Sequence, residues 1–135
     1  MSQGNLAAVH AMFDANARGD LEGAFRFFDE EIVWDARRIP MPEMRGVYHG
    51  HDGVRSWWRA WYEAWERIDI IDGAHHREHG NQVLSWWRQR NLGKGSGIAV
   101  EQEAGFVWTF QDGLIVRAAA FVSRDEVFRA AGLEP

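Results

Sequence analysis

The chain has 135 residues, no cysteine, 46% hydrophobic and 26% charged residues, and 15 Lys and Arg against 20 Asp and Glu, for a formal charge of −5. That length and composition fit one domain over residues 1–135 with a core of its own, and argue against a disordered chain. An acidic balance without a basic cluster argues against a nucleic-acid partner, and no apolar run approaches the roughly 18 to 20 residues that span a bilayer.

At the N-terminus Leu6, Val9, His10, Phe13 and Ala17 recur at helical spacing, and Gly19 suits a C-terminal cap. Asp20 can cap a second short helix carrying Leu21, Ala24, Phe25 and Phe28, with Glu22 in its first turn. Residues 31–36 are β-branched and aromatic and predict a strand, which Pro40 and Pro42 terminate. A third helix follows Gly50, with Val54, Trp57, Trp58, Trp61 and Trp65 on one face and Arg55, Arg59, Glu63 and Glu66 on the other. Arg59 and Glu63 can pair at i, i+4. Strands are expected at 68–76, 83–91, 98–110 and 114–122, parted by the turn signals Gly80-Asn81, Gly93 to Gly97 and Asp112-Gly113, and a short helix at 124–131 ends the chain. Three helices followed by an antiparallel meander give an α+β domain whose helices cover one face of a curved sheet.

The helix–Gly-Asp–helix start, the VWDA strand, the YHGHDGV entry to an aromatic helix and the segment GIAVEQEAGFVWTFQDGLIV together resemble the SnoaL-like branch of the nuclear transport factor 2 and ketosteroid isomerase superfamily. The resemblance spans nearly the whole chain. It implies a cone-shaped α+β barrel in which three N-terminal helices close a curved, mainly antiparallel sheet over a pocket, used by some relatives for catalysis and by others for binding alone. The match of Val33-Trp34-Asp35-Ala36 to the Val-Glu-Asp-Pro strand of ketosteroid isomerase places Asp35 where a general base sits. That enzyme's two oxyanion donors are replaced here by Met12 and Phe106. The last strand, Leu114 to Val122, has no carboxylate, unlike the epoxide hydrolase and cyclase relatives. Scytalone dehydratase joins a first-strand Asp to two His; here one His turned into the pocket beside Asp35 would suit proton shuttling, and His76 and His49 are the candidates.

Strand alternation then sorts the faces, with Phe106 set inward by that match. Val100, Gln102, Ala104, Phe106 and Trp108 point in, as do Ser85, Trp87 and Gln89, and Val116, Ala118 and Ala120; Trp86, Arg88, Arg90, Glu101 and Glu103 point out. The expected pocket is formed by Met12, Trp57, Trp61, Trp87, Gln102, Phe106, Trp108 and Ala118, and suits a small hydrophobic, cyclic or polyketide-like ligand. Desolvation among indoles would raise the pKa of Asp35 and make it an acid/base, unless it pairs with Arg37 or Arg38. Adjacent His75 and His76 cannot chelate from one face, so neither metal nor cofactor is expected. The outer sheet face, with Trp86 flanked by Arg and Glu, suggests a homodimer. The functional expectation is a cytoplasmic, cofactor-independent lyase or isomerase using Asp35, the alternative being a non-catalytic ligand-binding or dimeric interaction module.

Overall fold

The computed structural model describes residues 2–135. α1 (Ser2–Ala17) ends where Gly19 takes a φ of +79°, and α2 (Leu21–Ala24) begins beneath Asp20, whose carboxylate accepts the Gly23 N–H at 2.9 Å. A 3-10 turn, Phe25–Phe27, leads directly into β1 (Phe28–Asp35), so Phe28 opens a strand instead of closing a helix. A second 3-10 turn at Pro42–Met44 precedes β2 (Val47–His49), a short strand that the sequence reading does not include.

α3 (Gly50–Ala64) is anchored to α2 by Arg55, which donates to Glu22 at 2.8 and 3.0 Å and lies 4.4 Å from the Phe25 ring centroid. Arg55 also pairs with Asp52, whereas the expected Arg59–Glu63 pair is not formed among the described residues. The helix stops at Ala64, and Trp65, expected on its apolar face, begins β3 (Trp65–His79). β4 (Gln82–Gly93), β5 (Ala99–Gln111) and β6 (Leu114–Phe121) complete the antiparallel run, and α4 (Arg124–Ala130) follows. Asp112 and Gly113 both have positive φ, 53° and 83°, as a two-residue type I′ hairpin between β5 and β6 demands.

The six strands lie in the order β2-β1-β6-β5-β4-β3, antiparallel throughout except for β1 beside β6. β2 and β3 are edges, so the curved sheet is unclosed, and it forms with the helices the cone-shaped α+β arrangement that the resemblance implies. An irregularity between Ile71 and His75, carrying left-handed Asp72 and Gly73, bends β3. A further bulge sets Phe110 opposite Ile115, which makes Val116 the extra residue: Ile115 is fully buried in the core where alternation had placed Val116.

Helices α1 to α3 cover the concave face, burying Val9, Met12, Trp34, Val54, Trp57, Trp108 and Ala118. The convex face has its own cover. α4 buries Leu84, Val107, Ala119 and Phe121 under Val127 and Phe128, and Trp86 meets Phe128 edge-on at 5.1 Å with the Arg124 guanidinium 5.5 Å from its ring. Trp86 is therefore packed under the last helix and does not stand free at the centre of the outer face.

Candidate functional site

Between the helices and the concave face lies a cavity of about 470 Å³. α1 contributes Met12, Phe13 and Asn16; α3 contributes Trp57, Trp58, Trp61 and Tyr62; the sheet contributes Trp34, Ile68, Ile70, Trp87, Gln89, Gln102, Phe106, Trp108 and Ala120. The aromatic side chains form two walls. On α3 the rings of Trp57 and Trp61, one helical turn apart, stack at 5.5 Å with 6° between planes. On the sheet Trp87, Phe106 and Trp108 stack in sequence, at 6.0 Å and 12° and then at 4.6 Å and 10°. The sheet wall follows from register: Phe106 pairs with Ser85 and Trp87 with Ala104, so the large rings alternate with small residues on the same face.

Polar groups are few. Gln89 is buried opposite Gln102, and its Oε1 accepts the Trp87 indole N–H at 2.8 Å. At the rim, the Tyr62 hydroxyl donates to Asn16 Oδ1 at 3.1 Å, bridging α3 to α1. The carboxylates of Asp69 and Glu103, also at the lining, are engaged elsewhere: Asp69 pairs with Arg67, and Glu103 accepts the Arg124 N–H at 3.0 Å.

Of the residues singled out from sequence, Met12, Trp57, Trp61, Trp87, Gln102, Phe106 and Trp108 all line this cavity, while Ala118 is buried in the adjoining core and Ala120 takes the lining position. Asp35 is not among the lining residues. On β1 it is Trp34 that faces the cavity, so Asp35, the next residue, points to the opposite side. There its fully buried carboxylate accepts Arg37 Nε and Nη2 at 2.9 Å each, Arg38 Nη1 at 3.3 Å and Arg117 Nη2 at 2.5 Å. The Arg37 guanidinium, aided by Arg38 and opposed by desolvation, holds the Asp35 carboxyl well below the usual carboxylate range. The expected upward shift is thus reversed, and the pairing alternative is the arrangement found, extended by an Arg from β6.

The two His candidates also separate. His49 sits exposed on β2 at the start of α3, without a side-chain cap bond. His76 faces inward: its Nδ1 lies 2.7 Å from Ser85 Oγ, which also accepts the Trp108 indole N–H at 3.0 Å. Its ring meets Phe13 at 4.6 Å and His10 at 4.7 Å, both edge-on. Burial, with the neighbouring His10 and His75, pushes the His76 pKa down to about 4, so it is neutral at pH 7. His76 and Asp35 lie on opposite sides of the sheet and do not form a dyad. No group of three potential metal ligands occurs among the described residues.

Trp34 was missed as a wall residue, although Ile32 and Trp34 alternate as buried apolar residues near the end of β1. Ile68 and Ile70 also reach the cavity, through pairing with Asn91 and Gln89.

The SnoaL-like domain matches residues 9–118, most of the helical cover and the sheet. The chain belongs to the SnoaL-like family. Solved structures carry the same architecture: this SnoaL-like chain is similar to an NTF2-like protein of unknown function from Burkholderia pseudomallei, at 21% identity and TM-score 0.77 over 93% of this chain and 95% of that one. It is similar to TerC co-crystallized with polyporic acid, at 16% identity and TM-score 0.76 over 96% and 98%. It is also similar to a candidate polyketide cyclase from Xanthomonas campestris, at 17% identity and TM-score 0.73 over 96% and 98%. At such identities the likeness concerns the SnoaL-like fold. No curated protein sequence gives a significant match.

Proposed function

We propose that this SnoaL-like protein binds a small, flat, largely apolar cyclic compound, polyketide-like in character, between the Trp57/Trp61 wall and the Trp87/Phe106/Trp108 wall. The observation that carries the reading is the pair of preformed aromatic stacks facing one cavity of about 470 Å³, a size suited to a ligand of two to four fused or linked rings. Ring-on-ring contacts add about 0.5–1.5 kcal/mol each beyond the area they bury. The structural neighbour crystallised with polyporic acid is consistent with a small cyclic guest in this fold.

Binding without turnover is the favoured form, because the carboxylate expected to move a proton is held ionised outside the cavity. Lyase or isomerase chemistry would fall to His76, neutral at pH 7 and packed on the lining residue Phe13.

Thermal shift and tryptophan quenching against flavone, anthraquinone, a steroid and polyporic acid test the proposal. At least one compound is expected to raise Tm, and Trp61→Ala to weaken it about tenfold, as loss of one wall ring of about 1.4 kcal/mol would. No shift with any compound would overturn the reading and favour a cavity that serves only an interaction module. Turnover of a bound compound that is abolished in His76→Phe would bring the catalytic form forward.

A further inference from the structure

Gln89 lies within the sheet wall, between Ile70 on β3 and Gln102 on β5, and all three residues line the cavity. It is 4% exposed and belongs to the lining, so what is accessible of it is accessible from the cavity. Its amide is held in one orientation. The Trp87 indole N–H can only donate, so the atom 2.8 Å from it is the carbonyl Oε1, and the NH2 group is left on the other branch. That NH2 has no hydrogen-bond partner among the described residues, yet it is not sealed from solvent: the sealed, unpartnered side-chain nitrogens are the indoles of Trp34, Trp57 and Trp65 and the amide of Asn91.

An amide engaged at its carbonyl end and open at its N–H end calls for an acceptor. A carbonyl oxygen meets it at least cost, because it brings no proton that needs an acceptor in turn. The rest of the lining decides the charge of that acceptor. No Lys, Arg or His is among the residues lining the cavity, whereas Asp69 and Glu103 are. An anion entering here would shed its water with no cation to replace it and with two carboxylates at hand.

We propose that Gln89 orients the ligand by donating from Nε2 to a ketone or quinone carbonyl, so that the cavity selects uncharged aromatic carbonyl compounds over carboxylic acids and over plain hydrocarbons. The inference rests on the pocket reading above and adds to it the ligand's functional group and charge. Trp87, whose N–H holds the amide, is also a ring of the sheet wall, stacked on Phe106 with 12° between planes. The group that orients the ligand is thereby tied to the surface on which the ligand stacks.

Fluorenone, fluorene and fluorene-9-carboxylate share one tricyclic frame and differ in what the central ring carries: a carbonyl, a methylene or an anion. Their dissociation constants are measured at pH 7 by tryptophan quenching, and the infrared carbonyl stretch of bound fluorenone reports a hydrogen bond to it. The wild type is expected to bind fluorenone about tenfold tighter than fluorene, because the hydrocarbon would seal the Gln89 NH2 without a partner. The carboxylate should bind more weakly than fluorenone by about tenfold or more, and the carbonyl band should lie below its position in an alkane solvent. Gln89→Met keeps the volume and removes the donor, so the preference for fluorenone over fluorene should vanish and the band should return to its alkane position. Gln89→Glu, read at pH 8, keeps an oxygen to accept the Trp87 N–H and should lose the preference in the same way; it decides the matter if Gln89→Met does not fold. Equal affinities for fluorenone and fluorene in the wild type, tighter binding of the carboxylate, or a preference that survives in the variants would overturn the inference and leave the pocket reading standing. If none of the three nor any compound of the earlier panel binds, the pocket reading falls and the inference with it.

Discussion

At Asp35 one buried carboxylate organises three guanidiniums, two from the segment that follows β1 and one from the middle of β6, and this explains why an acid can sit fully buried beside the core without a proton. Its ionised form is favoured by Arg37 first, then by Arg38, against the desolvation that alone would raise its pKa. The folded-state pKa is depressed, so the group's contribution to stability is complete above the unfolded value of about 4 and is lost as pH falls below it. Asp35→Asn should cost about 3 kcal/mol at pH 7, the low end for a broken buried pair because Arg37, Arg38 and Arg117 are 39–56% exposed. Thermal unfolding should show the gap to wild type narrowing between pH 4 and pH 2.5, while ligand affinity at pH 7 stays unchanged. A variant of full stability that no longer binds would return Asp35 to the cavity.

Among the elements, α4 has the tightest seat. Gly105 on β5 lies under it so closely that a Cβ there would collide with Val127 Cγ2 and come within 2.8 Å of the Ser85 carbonyl oxygen. Gly105→Ala therefore forces α4 outward or bends β5 away from β4, at about 1–3 kcal/mol. Loss of the Phe128 contact should also shift Trp86 fluorescence to longer wavelength; an unchanged Tm and spectrum would show that the seat has slack. The hairpin strands and most of their inward faces were legible from sequence because Asp112-Gly113 fixes a turn of known twist and Phe106 fixes a parity that runs unbroken along β4 and β5. For the same reason Trp87, Gln102, Phe106 and Trp108 could be placed at the cavity, whereas Met12 came from the motif match and Trp57 and Trp61 from the excess of aromatics on α3. β1 failed on the same rule: a motif match set Asp35 inward, and a one-residue error in a period of two turned it out and Trp34 in. β2 is three residues long, too short to carry a pattern; Asp72-Gly73 is a turn dipeptide that the continuous strand expected over 68–76 passed over, and the Val116 bulge depends on how β5 and β6 meet, which no local signal records.

For the molecule as a whole, the uncovered remainder of the convex face decides how copies could associate. α4 takes the Trp86 end of that face, which leaves the other end of β4 and β5, where Arg88 meets Glu101 at 3.4 Å and Arg90 stands opposite Glu101 in the register. A two-fold axis across this patch would set Arg of one copy against Glu of the other, an arrangement that is self-complementary in charge. We propose that a homodimer, if formed through the sheet, uses this charged half of the face. In sedimentation velocity at low salt the wild type should then run as a dimer, and Arg88→Glu with Arg90→Glu should shift it to monomer by placing like charges across the axis. Because both residues point away from the cavity, ligand affinity should be retained in the monomer. A double variant that remains dimeric would move the interface to another surface, and a wild type that is monomeric at all concentrations would leave the Arg88–Glu101 pair with the small stabilising role of an exposed ion pair.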